Sequence, residues 1–288
     1  MKHLKFLVLN FIVVLILYNC SSDSSENGST NDVLDALKYY EELNISYGSD
    51  INQNFDLYLP ANRTIHTKTM VLIHGGGWYS GDKSDMNFIK DLIGVDLLNL
   101  AIVNINYRLS TENQSPYPMQ IEDITSIINY LKENKSKYTI SEDIGFIGIS
   151  AGAHLSLLWS YAFDDNQKVN MVCSIVGPTN FTDPAYLNNT DPTLQEMLNL
   201  YGINPQISFL EEVSPYHQVT ENAPPTILFY GGQDPLIPTT QGTDLRDKLE
   251  ILGVTHEFTL YPNAGHGWGG IELIDTWSKL KAFIQSHM

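Results

Sequence analysis

Apolar positions along this chain gather in short runs separated by longer amphipathic stretches. Runs at residues 68–74, 101–107, 144–147, 169–176, 226–230 and 256–261 predict strands. The first is apolar and β-branched, the pattern of a strand covered on both faces. Residues 43–47 and 54–59 alternate instead, which predicts an antiparallel pair closed by Pro60. Helical spacing fills the gaps at residues 86–100, 240–252 and 271–286, and a helix is expected to start just after Ser150. It is clearest over residues 119–134, where Ile121, Ile124, Ile127, Ile128 and Leu131 share one face. A short helix is also expected over residues 32–40. Strands alternating with helices of this length predict an α/β domain: a mostly parallel central sheet, helices on both faces, and an antiparallel edge from the early hairpin.

One segment breaks the rhythm. Residues 178–225 are irregular and rich in Pro and Asn, with short helices expected near 193–201 and 206–213. An insertion this long is usually functional. The expected arrangement is a small cap over the active site; packing against the sheet elsewhere is the competing arrangement.

The first 32 residues read differently from the rest. Lys2 and Lys5 precede an apolar run at residues 6–17, too short to span a membrane and of the form of an export signal. The run ends in Leu17-Tyr18-Asn19-Cys20. A cysteine there resembles a bacterial lipoprotein cleavage site, although Asn19 departs from the small residue usual before that cysteine. The expected organisation is a signal over residues 1–19, lipidation at Cys20, a polar Ser-rich tether over 20–32 and one α/β domain over 33–288. An ordinary secretory signal cut slightly later is the alternative. With Cys20 lipidated, Cys173 has no partner; it is expected in the core without a disulfide.

The chain carries 16 Lys and Arg against 33 Asp and Glu, a net charge of −17 over 288 residues. Phosphate backbones call for a basic stripe, and none is visible, so a nucleic-acid partner is not expected.

Gly148-Ile149-Ser150-Ala151-Gly152 lies between a predicted strand and a predicted helix. G-x-S-x-G in that setting is the pattern of a nucleophile elbow, which leaves the serine at the tip of a sharp turn. Serine needs an adjacent base. Of eight histidines, His266 stands apart, in the Gly-rich loop Asn263-Ala264-Gly265-His266-Gly267-Trp268 after the last predicted strand. His154 lies four residues beyond Ser150, a turn down the same helix, and is expected to be a buried hydrogen-bonded side chain. Asp234, in Gly231-Gly232-Gln233-Asp234-Pro235, also follows a strand; a turn or N-cap role is its alternative. The chain order Ser150, Asp234, His266 is that of α/β-hydrolase triads. In His74-Gly75-Gly76-Gly77-Trp78 the backbone can aim N–H groups at an oxyanion. Gly76 and Gly77, with Ala151 behind the serine, are the expected donors. A phosphate cradle would need a G-x-x-x-x-G-K-[ST] pattern, which this loop lacks.

These motifs, with Asn106-Tyr107-Arg108-Leu109-Ser110, Pro118 and Asp123, resemble the HGGG-type esterases of the α/β-hydrolase superfamily, the hormone-sensitive-lipase-like group. The HGGGW and NYRLS pair looks most like bacterial feruloyl or acetyl carbohydrate esterases. The resemblance runs from about residue 41 to the end. It implies a serine carboxylesterase acting on acylated plant polysaccharides or oligosaccharides, without metal or organic cofactor. Trp78, Tyr79 and Trp268 are candidates to line an acyl pocket or stack on sugar rings. The little chain before the first strands implies a short N-terminal cap and an open site. The expected partners are an ester substrate and, through the lipid alone, a membrane: an outer-membrane or cell-surface lipoprotein of a Gram-negative bacterium, or else a periplasmic or secreted protein. An arylformamidase-like amidase, a peptidase and a non-catalytic binding protein are the alternatives on the same scaffold.

Overall fold

The chain is described by a computed structural model covering residues 33–200 and 206–288. The expected export signal, the expected lipidation site Cys20 and the expected tether lie outside the described residues. Eight strands form one sheet: β1 (Tyr40–Ser46), β2 (Asn54–Leu59), β3 (Thr69–Ile73), β4 (Ala101–Ile105), β5 (Ile144–Ile149), β6 (Val169–Ile175), β7 (Thr226–Gly231) and β8 (His256–Tyr261). Their order across the sheet is β1-β2-β4-β3-β5-β6-β7-β8. β2 runs antiparallel to both β1 and β4. From β4 to β8 every pairing is parallel.

Alternation along each strand sorts side chains to two faces. Val71 and Ile73 of β3 face a core shared with α2 (Met119–Tyr138), α3 (Ala151–Ala162) and α8 (Thr240–Leu252). Met70 and Leu72 face a second core, with α1 (Asn87–Asp96) and α9 (Gly270–His287). Cys173 is buried in this second core and is a free thiol, its pKa pushed up by burial.

The expected helix over residues 32–40 is absent. Asp35 caps the amide of Leu37 with its own carboxylate at 3.1 Å, and a turn closes from Lys38 N–H to Asp35 O at 3.2 Å. Arg63 takes carbonyls that a helix would use, its N–H donating to Ala36 O at 3.1 Å and its Nη1–H to Lys38 O at 2.8 Å, and β1 starts at Tyr40. Among its described residues the insertion holds four short helices: α4 (Pro184–Leu187), α5 (Pro192–Leu200), α6 (Ile207–Glu212) and α7 (Pro215–Gln218). Phe181, Tyr186, Leu194, Leu210 and Val213 anchor it in the first core.

The order of the strands positions the site. The chain leaves β3 to one side for β4, then returns to the other side for β5. Loops after β3 and β5 therefore emerge together at the carboxyl edge, the switch point where ligands of open α/β sheets bind. The turns after β7 and β8 open at the same edge.

Candidate active site

β5 ends at Ile149, and Ser150 turns the chain into α3 with φ 53° and ψ −120°. A non-glycine residue holds such a conformation only when its surroundings enforce it, at a cost of about 1–3 kcal/mol. Here Ser150 N–H donates to Ile175 O at 2.8 Å, and His154 N–H donates to Ser150 O at 3.0 Å. Gly152 lets α3 press against β3: a Cβ there would collide with the carbonyl oxygens of Ile73 and His74.

His266 bridges the other two groups. Its Nε2 lies 2.9 Å from Ser150 Oγ and its Nδ1 2.7 Å from Asp234 Oδ2. The tautomer that satisfies both contacts donates from Nδ1 to the carboxylate and accepts the serine proton at Nε2. Asp234 is almost wholly buried, with its side chain 1% exposed. Its Oδ1 accepts from the backbone amides of Leu236 and Ile237 at 2.8 and 3.0 Å. The turn role that was its alternative is thus real, and the same carboxylate also meets His266.

The glycine loop arches over the serine. Gly76 and Gly77 have φ of 107° and 58°. Among the described residues their amides donate to no protein acceptor, while Gly76 O accepts from Ser80 N–H at 2.9 Å and Ser80 Oγ–H at 2.8 Å. Ala151 is the first residue of α3, where an amide has no intrahelical partner. NYRLS braces this loop from behind. Tyr107 O–H donates to His74 O at 2.9 Å, and its ring stacks on His74 at 4.3 Å. Ser110 N–H and Gln120 Nε2–H both donate to Trp78 O, at 2.9 and 2.7 Å. His74 donates from Nδ1 to Gly75 O at 2.7 Å; burial lowers its pKa.

A cleft of about 450 Å³ opens at Ser150 and His266, lined by the three glycines, Tyr79, Met86 and Leu236. Thr193 of α5, within the insertion, also lines it. No local motif marks Thr193, Met86 or Leu236; only the tertiary fold brings them there.

Two of the three candidate aromatics are elsewhere. Trp78 has φ 67°, which turns its ring into the core, where it is fully buried. Its Nε1–H donates to His154 Nδ1 at 3.2 Å, and its ring packs on Phe181. His154 is as expected a buried structural residue: Nε2 donates to Val213 O at 2.8 Å, and burial holds its pKa down at about 4. Trp268 is half-buried on the second core, donating to Thr276 Oγ1 at 2.8 Å and packing on Tyr261. Tyr79 alone lies at the cleft, 37% exposed.

The mostly parallel sheet, the helices on both faces and the turn at Ser150 define an α/β-hydrolase. The BD-FAE family pattern matches residues 55–249, and the chain belongs to that family. It is 25% identical over 250 residues to Esterase LipC of Mycobacterium tuberculosis, covering 80% of this chain and 60% of that protein. It is 26% identical over 216 residues to an acetyl esterase of Salmonella typhi, covering 69% and 65%. The chain thus spans somewhat under two thirds of the length of these relatives. A solved structure titled a truncated form of carbohydrate esterase from gut microbiota superposes with a TM-score of 0.67 at 23% identity, over 88% of this chain and all of the other.

Proposed function

We propose that this protein is a serine carboxylesterase that removes acyl groups, acetyl or feruloyl, from plant polysaccharides or oligosaccharides. The observation that carries the reading is the unbroken hydrogen-bonded series from Asp234 through His266 to Ser150, ending in an open cleft. In this mechanism Ser150 Oγ attacks the ester carbonyl as His266 Nε2 takes its proton. The developing oxyanion is held by the N–H groups of Gly76, Gly77 and Ala151, with the α3 N-terminus adding a favourable dipole. Asp234 stabilises the imidazolium. His266 then protonates the departing alcohol, and water resolves the acyl-enzyme by the same route in reverse.

Membership of the BD-FAE family and the names of the relatives, an acetyl esterase and a carbohydrate esterase among them, support the acyl-sugar class. Tyr79 at the cleft suits an aromatic acyl group, and the small cleft suits short ones over long lipid chains. Ser150→Ala is expected to abolish hydrolysis of p-nitrophenyl acetate and methyl ferulate and to remove labelling by a fluorophosphonate probe. Undiminished turnover by that variant sinks the reading, and activity on N-formylkynurenine or peptide amides with none on esters replaces it with an amidase. The second part of the proposal is export and anchoring by a lipid at Cys20, on the outer membrane or cell surface. Palmitate incorporation in the parent and its loss in Cys20→Ala test this part.

A further inference from the structure

One charged side chain at the Ser150 cleft takes no part in the proposed hydrolysis. Asp85 lines the cleft beside Tyr79, Ser80 and Met86, and it brings the one carboxylate to a described lining that holds no Lys or Arg. It is the third residue of a short 3-10 turn, Lys83–Met86, that follows the glycine loop. Gly81 makes that junction with φ 99°; a Cβ there would meet Gly75 O and His74 Nδ1, each at 2.6 Å.

The carboxylate is held in place and left without a counter-ion. Asp82 N–H donates to Asp85 Oδ2 at 3.1 Å, and Asp85 N–H donates to Asp82 O at 2.9 Å. Asp82 itself accepts from Ser84 N–H and from Asn106 Nδ2–H, both at 2.8 Å, which ties the turn to the end of β4. Among the described residues Asp85 Oδ1 has no hydrogen-bond or ion-pair partner. Lys83 stands two residues away, yet it is buried and points to the antiparallel edge, where its ammonium meets Asp56 Oδ1 at 3.0 Å and Asn44 Oδ1 at 2.6 Å. The negative charge reaches the glycine loop and its brace. Burial dominates the pKa shifts of His74, downward, and of Tyr107, upward, and Asp85 adds a rise to each.

We propose that Asp85 is a specificity-determining residue that makes the cleft a charge filter, barring esters with an anionic acyl group and driving out the carboxylate product. The inference rests on the proposed ester hydrolysis at Ser150 and names the acyl class for it: neutral or cationic, with hemiesters of dicarboxylic acids excluded. A cleft lined by one sign of charge concentrates its field on whatever enters, and an unpaired charge aimed at the wrong ligand is a means of rejecting it. In hydrolysis water adds across the ester bond and the alcohol departs neutral. The acid formed gives its proton to solvent and so carries a negative charge that the ester lacked. A fixed carboxylate therefore repels the product and not the neutral substrate. The oxyanion forms with every ester, so its own repulsion cancels when two esters are compared.

The test compares kcat/KM for p-nitrophenyl hydrogen adipate and p-nitrophenyl methyl adipate, which share a chain length and differ by one negative charge. The parent prefers the methyl adipate about tenfold, the size expected for two unit charges roughly 6–8 Å apart across a partly wet cleft. The preference shrinks between about 10 mM and about 1 M salt, as the screening length falls from about 30 to about 3 Å. Asp85→Asn keeps a carbonyl acceptor for Asp82 N–H and removes the charge. It brings the two esters within about twofold of each other, abolishes the salt dependence of their ratio and tightens inhibition by acetate about fivefold. Asp165→Asn removes an equal charge from an exposed loop between α3 and β6, at the opposite edge of the sheet, and keeps the parent's ratio. An unchanged ratio in Asp85→Asn overturns the inference, as does an equal fall in Asp165→Asn, which would assign the effect to net charge. Should Asp85→Asn not fold, Asp85→Ser takes its place, and a parent that cleaves both adipates alike overturns the inference without any variant. Each of these failures leaves ester hydrolysis standing; a parent that cleaves no ester refutes the proposed function itself.

Discussion

Asp234 divides its two oxygens between two duties. Oδ1 is taken by the amides of Leu236 and Ile237, and Oδ2 is left for His266. Asp234→Asn keeps the first duty through its carbonyl oxygen and turns an NH₂ towards Nδ1. The imidazole is then driven to the tautomer that carries its proton at Nε2, where it cannot take one from Ser150. A fall in kcat of about 10³- to 10⁴-fold with an unaltered circular-dichroism spectrum is expected, by analogy with the same exchange in other serine triads; a loss under tenfold contradicts the proposed role. His154 gives a second effect of a single side chain, on stability instead of turnover. Its Nδ1 accepts from Trp78 and its pKa sits at about 4, so the folded protein keeps it neutral where the unfolded chain, near 6.5, takes up a proton. Its contribution is complete above about pH 6.5 and is lost as pH falls towards 4. At about 1.4 kcal/mol per unit this approaches 3 kcal/mol. Urea unfolding at pH 7 and pH 4 should show the parent losing about that much more stability than His154→Gln over the interval, and parallel losses in the two proteins count against it.

At the scale of elements, the contact between α3 and β3 sets the elbow. Because a Cβ on Gly152 would meet backbone oxygens of Ile73 and His74, Gly152→Ala must push α3 off the sheet. Overpacking of this kind costs about 1–3 kcal/mol. The variant should unfold at lower urea with an unchanged slope and lose activity in proportion to the displacement of Ser150; a midpoint equal to the parent's excludes this account. The elbow was legible in the sequence because its requirements are local: two glycines, a serine, a strand before and a helix after. Asp234 and His266 were legible for a related reason, since each stands in the loop after an apolar run and parallel strands deliver such loops to one edge. The orientation of Trp78 was not legible. Its position in HGGGW puts it beside the site in sequence, but a positive φ, imposed by the packing of the loop on Tyr107, Ser110 and Gln120, sends the ring inward. Nor does any spacing foretell that Thr193 reaches the cleft, because the insertion has no periodic frame to place it. The helix expected over residues 32–40 failed because Arg63, remote in sequence, takes the carbonyls of Ala36 and Lys38.

For the whole molecule, the sheet is the common reference for every group at the site. The glycine loop follows β3, Ser150 follows β5, Asp234 β7 and His266 β8. β5 and β8 are not neighbours; β6 and β7 lie between them, and Ser150 and His266 are 116 residues apart in the chain. Their 2.9 Å contact therefore depends on the register of three successive parallel pairings. No fragment of the chain contains the contact without also containing β6, β7 and β8. For the proposed esterase, turnover of a chromogenic ester thereby becomes a gauge of global order: its loss in urea should superimpose on the loss of the sheet, so that a simple colour reaction can rank the stability of variants throughout the core, far from the cleft at Ser150.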